Sequence, residues 1–231
     1  MPLTIDRVRR AGGLAGLLFV IVALVALFLP GTPPKADEVS KISSYLTDKR
    51  GSILASDFLL GIAFTFFLIF VGALRTRFGA GDRDGLRPGS IALAGGVAGA
   101  VLIFAGASVL SGVVFQVAKA GDANLNHALY DVSNDLFIMA GFAFAVFFLG
   151  AALAIRATGA FPSLLAPAAL VIALLSLISC VGLFATSGFF AIGGAFGFIV
   201  PVLSVLWVLT VSVLLLRPES AGSEAQATAR T

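Results

Sequence analysis

The sequence predicts an all-α fold, a single bundle of six transmembrane helices. Apolar residues make up 59% of the 231 residues, whereas charged residues make up only 12%. The apolar residues fall in several runs of about 18 or more, long enough to cross the hydrocarbon core of a bilayer as a helix. A water-soluble core does not need such runs, so composition and run length together predict a multi-pass integral membrane protein.

Six spans are predicted, at residues 12–29, 53–74, 91–118, 130–155, 163–186 and 194–216. The first follows Arg7, Arg9 and Arg10, as the apolar part of a signal peptide would. It is about as long as a full span and no small-x-small cleavage site follows it, so a retained helix is favoured over a cleaved one. Residues 1–217 are predicted to form one transmembrane domain, and the small polar residues of 218–231 a disordered tail.

Positive charge is concentrated on one side of these spans. With the N-terminus in the cytoplasm, the inner segments carry ten of the fifteen Lys and Arg residues. Arg75, Arg77, Arg83 and Arg87 lie together in one short loop. The positive-inside rule therefore predicts that both termini are cytoplasmic. The net charge of +3 is small, and its placement indicates membrane topology and no nucleic-acid partner.

The longest outer connection contains an amphipathic pattern. Val39, Ile42 and Leu46 fall at i, i+3 and i+7, with Tyr45 beside them. This spacing predicts a short helix lying on the outer interface. An anchor for the loop is favoured over a lid that covers the mouth of the bundle.

The chain also contains the pattern of an internal repeat. An offset of 78 residues places Asp57 on Asp135 and aligns several phenylalanines of helices 2 and 4. An offset of 79 aligns the Leu-Ala-Gly that ends at Gly16 with the one that ends at Gly95. These matches predict that helices 1 and 2 are duplicated as helices 3 and 4, in parallel orientation. Helices 5 and 6 carry no matching acid, and whether they form a third copy stays open.

The candidate site consists of polar residues near the outer ends of helices 2, 3 and 4. These ligand- or ion-binding candidates are Asp57, Gln116, His127, Tyr130, Asp131, Asn134 and Asp135. Acids inside a span are costly and persist where they bind a cation, relay protons or meet a polar ligand. The sequence therefore predicts an outward-facing acidic pocket. The alternative is structural, because Asp57 and Asp135 could equally cap the N-terminal ends of their helices.

Few chemical mechanisms fit this residue inventory. His127 is the only histidine, which excludes sites that need several imidazoles. A mixed metal site of His127, Asp131 and Asp135 stays open. No Ser-His-Asp spacing, P-loop or C-x-x-C motif is present, so no catalytic residue and no cofactor are predicted. The single cysteine, Cys180, lies in an apolar run and is predicted to be a packed, inert thiol.

Small residues and phenylalanines are assigned to packing. Pairs of glycines spaced by four residues let helix backbones approach closely. These pairs are Gly12 and Gly16, Gly95 and Gly99, and Gly193 and Gly197. Packing inside the monomer is favoured over dimerisation. The phenylalanines of helices 2 and 4 are assigned to the core and to lipid contact, with a hydrophobic substrate groove as the less favoured alternative. Pro201 is predicted to kink helix 6.

Three functions are compatible with these features, all of them exerted in the lipid bilayer. The first is the binding or passage of a small cation or polar solute through the acidic pocket, without enzymatic activity. The second is a scaffold or accessory subunit, packed through its glycine-rich faces against a membrane partner or a second copy. The third is a membrane-embedded metal hydrolase that uses His127, Asp131 and Asp135.

The repeat, the outer segment YLTDKRGSILASD and the helices that end at Arg75 and Arg156 together carry a resemblance. The chain resembles uncharacterised bacterial multi-pass membrane proteins of the domain-of-unknown-function type. This resemblance implies a compact helical bundle in the bacterial cytoplasmic (inner) membrane. It implies no activity, and no functional residue can be transferred from it.

Overall fold

The computed structural model describes residues 5–34, 39–79, 87–117, 122–185, 188–190 and 194–217. The elements are α1 (Ile5–Phe28), α2 (Val39–Asp48), α3 (Arg50–Gly79), α4 (Pro88–Gly112) continued by a π-helix (Val113–Val117), α5 (Ala123–Thr158), α6 (Leu165–Ser179) continued by a 3-10 helix (Cys180–Phe184), and α7 (Ala195–Leu216). Six of these helices are long and apolar enough to cross a membrane, α2 being the short exception. The prediction of an all-α bundle with six spans is confirmed.

Helices α3 and α5 extend beyond their predicted spans at the end of the bundle that carries α2, which is called the outer end after the predicted topology. The 36 residues of α5 cover about 54 Å, well over the ~30 Å of a hydrocarbon core. Asp122 is the residue that caps α5, accepting hydrogen bonds from the backbone N–H groups of Asn124 and Leu125, both at 3.0 Å. Asp57 and Asp135 lie well inside their helices. The capping interpretation of these two acids is therefore wrong, because α3 begins seven residues before Asp57 and α5 begins twelve residues before Asp135.

The six spanning helices form a closed ring. In order around the ring they are α1, α3, α4, α5, α6 and α7, and α7 packs back against α1. The predicted first span is therefore part of the bundle. Close backbone approaches across the ring are few, and aromatic side chains such as Phe67, Phe147 and Trp207 make the contacts there. The α6–α7 pair has the loosest contact between neighbours.

Four of the glycines assigned to packing lie at helix contacts inside the monomer. A Cβ atom on Gly12 would collide with Ala73, and one on Gly16 with Ser212. A Cβ on Gly95 would meet the backbone of Phe147, and one on Gly99 the ring of Phe144 at 2.8 Å. Gly197 differs from these, since a Cβ there would meet no atom within 4 Å. Gly193 lies outside the described residues.

The α1–α3 pair and the α4–α5 pair each have a hydrogen bond from a serine hydroxyl to a carbonyl of the neighbouring helix, near their outer ends. The hydroxyl of Ser56 donates to the carbonyl of Ala26 at 2.8 Å, from α3 to α1. The hydroxyl of Ser133 donates to the carbonyl of Gly106 at 3.0 Å, from α5 to α4. The two donors, Ser56 and Ser133, are 77 residues apart in the sequence, and the two acceptors, Ala26 and Gly106, are 80 residues apart.

Two glycine contacts repeat at the same offsets. Between α1 and α3, Gly12 lies against Ala73 and Gly16 against Phe70. Between α4 and α5, the corresponding contacts join Ala92 to Gly150 and Gly96 to Phe147. Contacts at offsets of 77 and 80 support the predicted parallel duplication, which itself stays a prediction. They also change its alignment from the predicted 78 and 79. The counterpart of Asp57 is then Asn134 rather than Asp135.

Helix α2 packs on the outer end of the ring, as the amphipathic pattern indicates. Ile42 and Leu46 are completely buried, and they pack in one apolar cluster with Ile53 of α3, Val113 and Val114 of the π-helix, and Tyr130 of α5. The hydroxyl of Tyr130 donates to the carbonyl of Pro34 at 3.3 Å, which fixes the segment that leads into α2. The helix therefore packs against protein and covers the outer ends of α3 and α5.

Candidate functional site

The predicted polar residues are distributed over separate places. Asp57 is buried, whereas Asp135 and Gln116 are exposed on the surfaces of α5 and the π-helix. Asn134 is half-buried, and its side-chain amide donates to the carbonyl of Tyr130 at 2.9 Å. The described contacts do not join Asp57 and Asp135 into one pocket.

His127 and Asp131 form a local pair on α5. The Nε2 atom of His127 lies 3.4 Å from Oδ2 of Asp131, one turn apart on a partly exposed face. Within the described ranges, no three His, Cys, Asp or Glu side chains come together in a way that could hold a metal ion. The ligand set that a mixed His127, Asp131 and Asp135 metal site would need is not assembled there.

Asp57 has the most enclosed carboxylate of the candidate set. It is 9% exposed, and its Oδ2 accepts a hydrogen bond of 2.7 Å from the hydroxyl of Ser111 on α4. Burial and the nearby Asp57 carboxylate raise the pKa of the phenol of Tyr45, on α2, above its usual value of 10.0. Both effects oppose a negative charge on the phenol, so Tyr45 is a neutral neighbour of Asp57.

A cavity of about 440 Å³ occupies the interior of the ring, and all six spanning helices contribute to its wall. None of its lining residues is charged. Ten of them are phenylalanines: Phe19, Phe64, Phe67, Phe137, Phe144, Phe147, Phe148, Phe190, Phe196 and Phe198. The cavity is therefore suited to an apolar occupant and not to a hydrated ion.

Reasoning from the sequence gives a hydrophobic groove among the phenylalanines only as the less favoured alternative. The residues of α3 that face the cavity, Leu60, Phe64 and Phe67, have ordinary core spacing, which predicts packing. On α5 the corresponding face includes Asn134 and Gly141 among apolar residues. A polar residue and a glycine on an otherwise bulky helix face are the features of the sequence that could have indicated a cavity. Whether facing side chains fill the space between helices depends on how the ring closes.

A few polar groups line the cavity, and those of α6 and α7 offer acceptors. The hydroxyls of Ser176, Ser179 and Ser204 each donate to a carbonyl of their own helix, at 2.8, 2.7 and 2.8 Å. Each oxygen keeps lone pairs directed away from that bond. Pro201 has no N–H group, so the carbonyl of Gly197 one turn earlier has no bond from it. These groups favour an occupant that carries at least one hydrogen-bond donor.

Part of the cavity wall is exposed. Four of its lining residues, Phe190, Gly197, Pro201 and Val202, have exposed side chains or backbone. All four belong to the first half of α7 or to the segment before it, and α7 packs loosely against α6. We interpret these four residues as the mouth of the cavity.

The only tryptophan of the chain lies behind the cavity wall. Trp207 is 3% exposed, and its ring packs edge-on against the lining residues Phe147 and Phe148, with centroids 6.0 and 5.4 Å apart. Its Nε1–H group donates to the carbonyl of Leu165 at 3.2 Å, joining α7 to α6. Trp207 is thus an intrinsic probe of what enters the cavity.

Comparisons with known proteins add no functional assignment. No protein-family model, no curated protein and no solved structure matches the chain. The resemblance to uncharacterised bacterial membrane proteins therefore stays a prediction.

Proposed function

We propose that this protein binds an apolar, lipid-like molecule in the cavity inside its ring of helices. The observation that carries this proposal is the cavity itself, about 440 Å³ with no charged lining residue. Its volume is within the range of small-molecule sites, roughly 300–1,000 Å³. An apolar interior of this size gains nothing from hydration, so it is better filled by hydrocarbon than by water.

The mouth beside α7 gives such a molecule a route from the bilayer. A long-chain lipid would enter sideways past Gly197 and Val202 without passing through water. The serine oxygens and the carbonyl of Gly197 would then accept hydrogen bonds from its head group. This predicts a ligand with a hydroxyl or amino head on a hydrocarbon tail.

We place the protein in a bacterial cytoplasmic membrane with both termini in the cytoplasm. Exposed arginines at the ends of four different helices support this orientation: Arg7 and Arg10 in the first turns of α1, Arg87 before α4, Arg156 near the end of α5 and Arg217 after α7. The hydrogen bond of 3.0 Å from Arg9 to the carbonyl of Arg217 shows that two of these ends adjoin. Helix α2 would then lie on the outside.

Binding or passage of a small cation or polar solute is a second candidate, favoured by one observation. Asp57 is a buried acid whose carboxylate is bonded to Ser111. In liposome flux assays we expect Asp57→Asn to abolish such passage and Asp135→Asn to leave it intact, because Asp135 is exposed. Wild-type flux in both variants would exclude this candidate.

The scaffold and hydrolase hypotheses have less support. Gly95 and Gly99 are already engaged with α5, so a partner or a second copy would have to bind other faces. A hydrolase would need metal ligands that the described residues do not bring together.

Fluorescence of Trp207 tests the proposed function directly. The protein is placed in nanodiscs whose lipids carry bromine on the acyl chain, because bromine quenches indole at close range. Since Trp207 is buried inside the ring, lipids outside it quench weakly, and a chain in the cavity should quench strongly. Fluorescence equal to that in unbrominated nanodiscs would contradict the proposal.

A matched pair of variants separates the cavity from the bilayer. Gly197→Phe places a ring at the mouth, where a Cβ meets no neighbour, and should restore fluorescence. Gly72→Phe adds the same ring at an exposed glycine of α3 with equal free space, away from the cavity, and should leave quenching unchanged. Equal quenching in both variants would show that the bromine acts from outside the ring.

A further inference from the structure

We propose that the cavity ligand is a cationic amphiphile, with an ammonium head held by Asp57 and a hydrocarbon tail in the phenylalanine-lined cavity. This inference rests on the proposed function, because it requires that the cavity holds a ligand. It gives the head group a positive charge and places it at the α3–α4 wall, across the ring from the serines of α6 and α7.

The first observation is that Asp57 lies next to the cavity along α3. Leu60, Phe64 and Phe67 line the cavity from α3, and Asp57 is one turn outward on the same stripe, at i−3 from Leu60. On α4 the lining residue is Ile103, and Ser111 lies two turns outward at i+8. The Asp57–Ser111 pair, 2.7 Å apart, therefore sits at the outer end of the α3–α4 wall of the cavity.

The charge of Asp57 carries the second step. It is the only acid among the buried residues that the structure describes, and no described Lys, Arg or His forms an ion pair with it. One neutral hydrogen bond from Ser111 is weak compensation for a carboxylate removed from water. A bound ammonium group would supply the missing positive charge at this position.

The surroundings of Asp57 carry the third step. Two turns further along α3, Phe64 forms an edge-to-face pair with Phe19, with centroids 5.5 Å apart, which gives the tail an apolar path away from the head group. On the other side, Ile53, one turn before Asp57, packs in a cluster with the completely buried Ile42 and Leu46 of α2. In such an enclosed place the attraction between carboxylate and ammonium is stronger than at a surface. An anionic head would be repelled there.

Two brominated probes of equal chain length test this inference, an alkylammonium and the corresponding alcohol. Each is titrated into the protein in zwitterionic nanodiscs, and quenching of Trp207 gives its apparent affinity. In the wild type we expect the ammonium probe to bind more tightly than the alcohol. This comparison needs no variant.

Variants then assign the difference to Asp57. Asp57→Asn should weaken the ammonium probe roughly thirtyfold or more, the low end of losses when one partner of a buried charge pair is removed. The alcohol should be unaffected. Asp135→Asn, which removes an exposed acid from α5, should change neither probe, and Gly197→Phe should exclude both.

The outcomes separate the two proposals. If both probes bind equally in the wild type and Gly197→Phe blocks both, the cationic head is wrong and the apolar site stands. If Asp57→Asn and Asp135→Asn weaken the ammonium probe equally, general surface charge is responsible, and the inference also fails. If neither probe quenches Trp207, the cavity binds no amphiphile and the proposed function fails as well.

Discussion

At the scale of residues, most of the described hydroxyl groups bond to a carbonyl of their own helix, but three serines bond to a neighbouring helix. Ser56, Ser133 and Ser111 each donate to a group on a neighbouring helix, and two of these bonds repeat between equivalent helix pairs. Because water cannot satisfy polar groups in the hydrocarbon region, each such bond also fixes which faces meet. The few polar residues therefore set the register of a ring that is otherwise held by apolar contacts.

The phenol of Tyr45 should titrate above its usual pKa of 10.0, because burial and the Asp57 carboxylate both oppose its ionisation. Tyr130→Phe leaves Tyr45 as the only tyrosine, and its ionisation is followed by absorbance near 295 nm. Asp57→Asn should lower this pKa in part, since burial, the larger cause, remains. A pKa at the usual value in the folded protein would contradict the packing of α2 over Asp57.

The same shift gives a direction for stability against pH. A raised folded-state pKa means that the docked α2 is fully stable below pH 10, where the free phenol is neutral. Its docking should weaken as pH rises from 10 towards the raised pKa. Hydrogen exchange of α2 measured across this interval should increase, and exchange that stays constant would argue against the shift.

Gly95→Ala should destabilise the ring, because its new Cβ would press on the backbone of Phe147, which cannot rotate away. Overpacking of this kind costs typically about 1–3 kcal/mol. Gly72→Ala is the matched control, since a Cβ there meets no atom within 4 Å. Equilibrium unfolding in mixed micelles measures the free energy of unfolding of both variants. Equal values for Gly95→Ala and Gly72→Ala would show that Gly95 does not lie at a close α4–α5 contact.

At the scale of elements, α2 differs from the spanning helices. It is short, and it is attached to the ring by one apolar face and by the bond from Tyr130 to Pro34. Few residues hold it compared with any spanning helix, so it should open before the ring does. The contact of α2 with the ring is thus expected to be less stable than the contacts between spanning helices.

Leu46→Ala should loosen α2 without unfolding the ring. Leu46 is completely buried, and truncation of a core leucine costs about 2–5 kcal/mol. Faster hydrogen exchange confined to α2 and the outer turns of α3 is the expected result. Thr47→Ala, on the exposed face of the same helix, should leave exchange unchanged. Exchange that rises throughout the spanning helices would show that α2 is part of the cooperative core.

At the scale of the whole molecule, the closed ring explains why the interior is open. Each spanning helix packs against two neighbours, and the helix backbones do not approach closely across the ring, where aromatic side chains meet instead. Close approach at Gly12, Gly16 and Gly95 tightens the wall on the α1–α3 and α4–α5 sides. On the α6–α7 side the close approach is near the cavity, where a Cβ on Gly182 would meet the carbonyl of Phe190 at 2.9 Å.

The orientation of the ring can be tested with two exposed threonines of α2 and α3. In a Cys180→Ala background, Thr47→Cys and Thr76→Cys place thiols at opposite ends of the molecule. A membrane-impermeant maleimide added to intact cells should label residue 47 and not residue 76. The reverse pattern would invert the topology that we propose.

Much of this architecture follows from the sequence alone. Length and apolarity of the runs determine six helices, because in a bilayer every backbone polar group must be bonded within its own segment. The amphipathic spacing of Ile42 and Leu46 likewise determines α2. The pattern of a repeat was detectable, but the register of the contacts was not, since in a biased composition chance matches arise at several neighbouring offsets.

The site depended on tertiary structure. The spacing of His127, Asp131 and Asp135 placed them on one helix face, but that face is partly exposed, whereas Asp57 is enclosed by α2 and α4. The sequence by itself determined which segments are helices and where the acids lie along them. Only the packing decided which acid is buried and that a cavity remains among the phenylalanines, because both depend on the rotation of each helix in the ring and on how completely facing side chains fill the space between them.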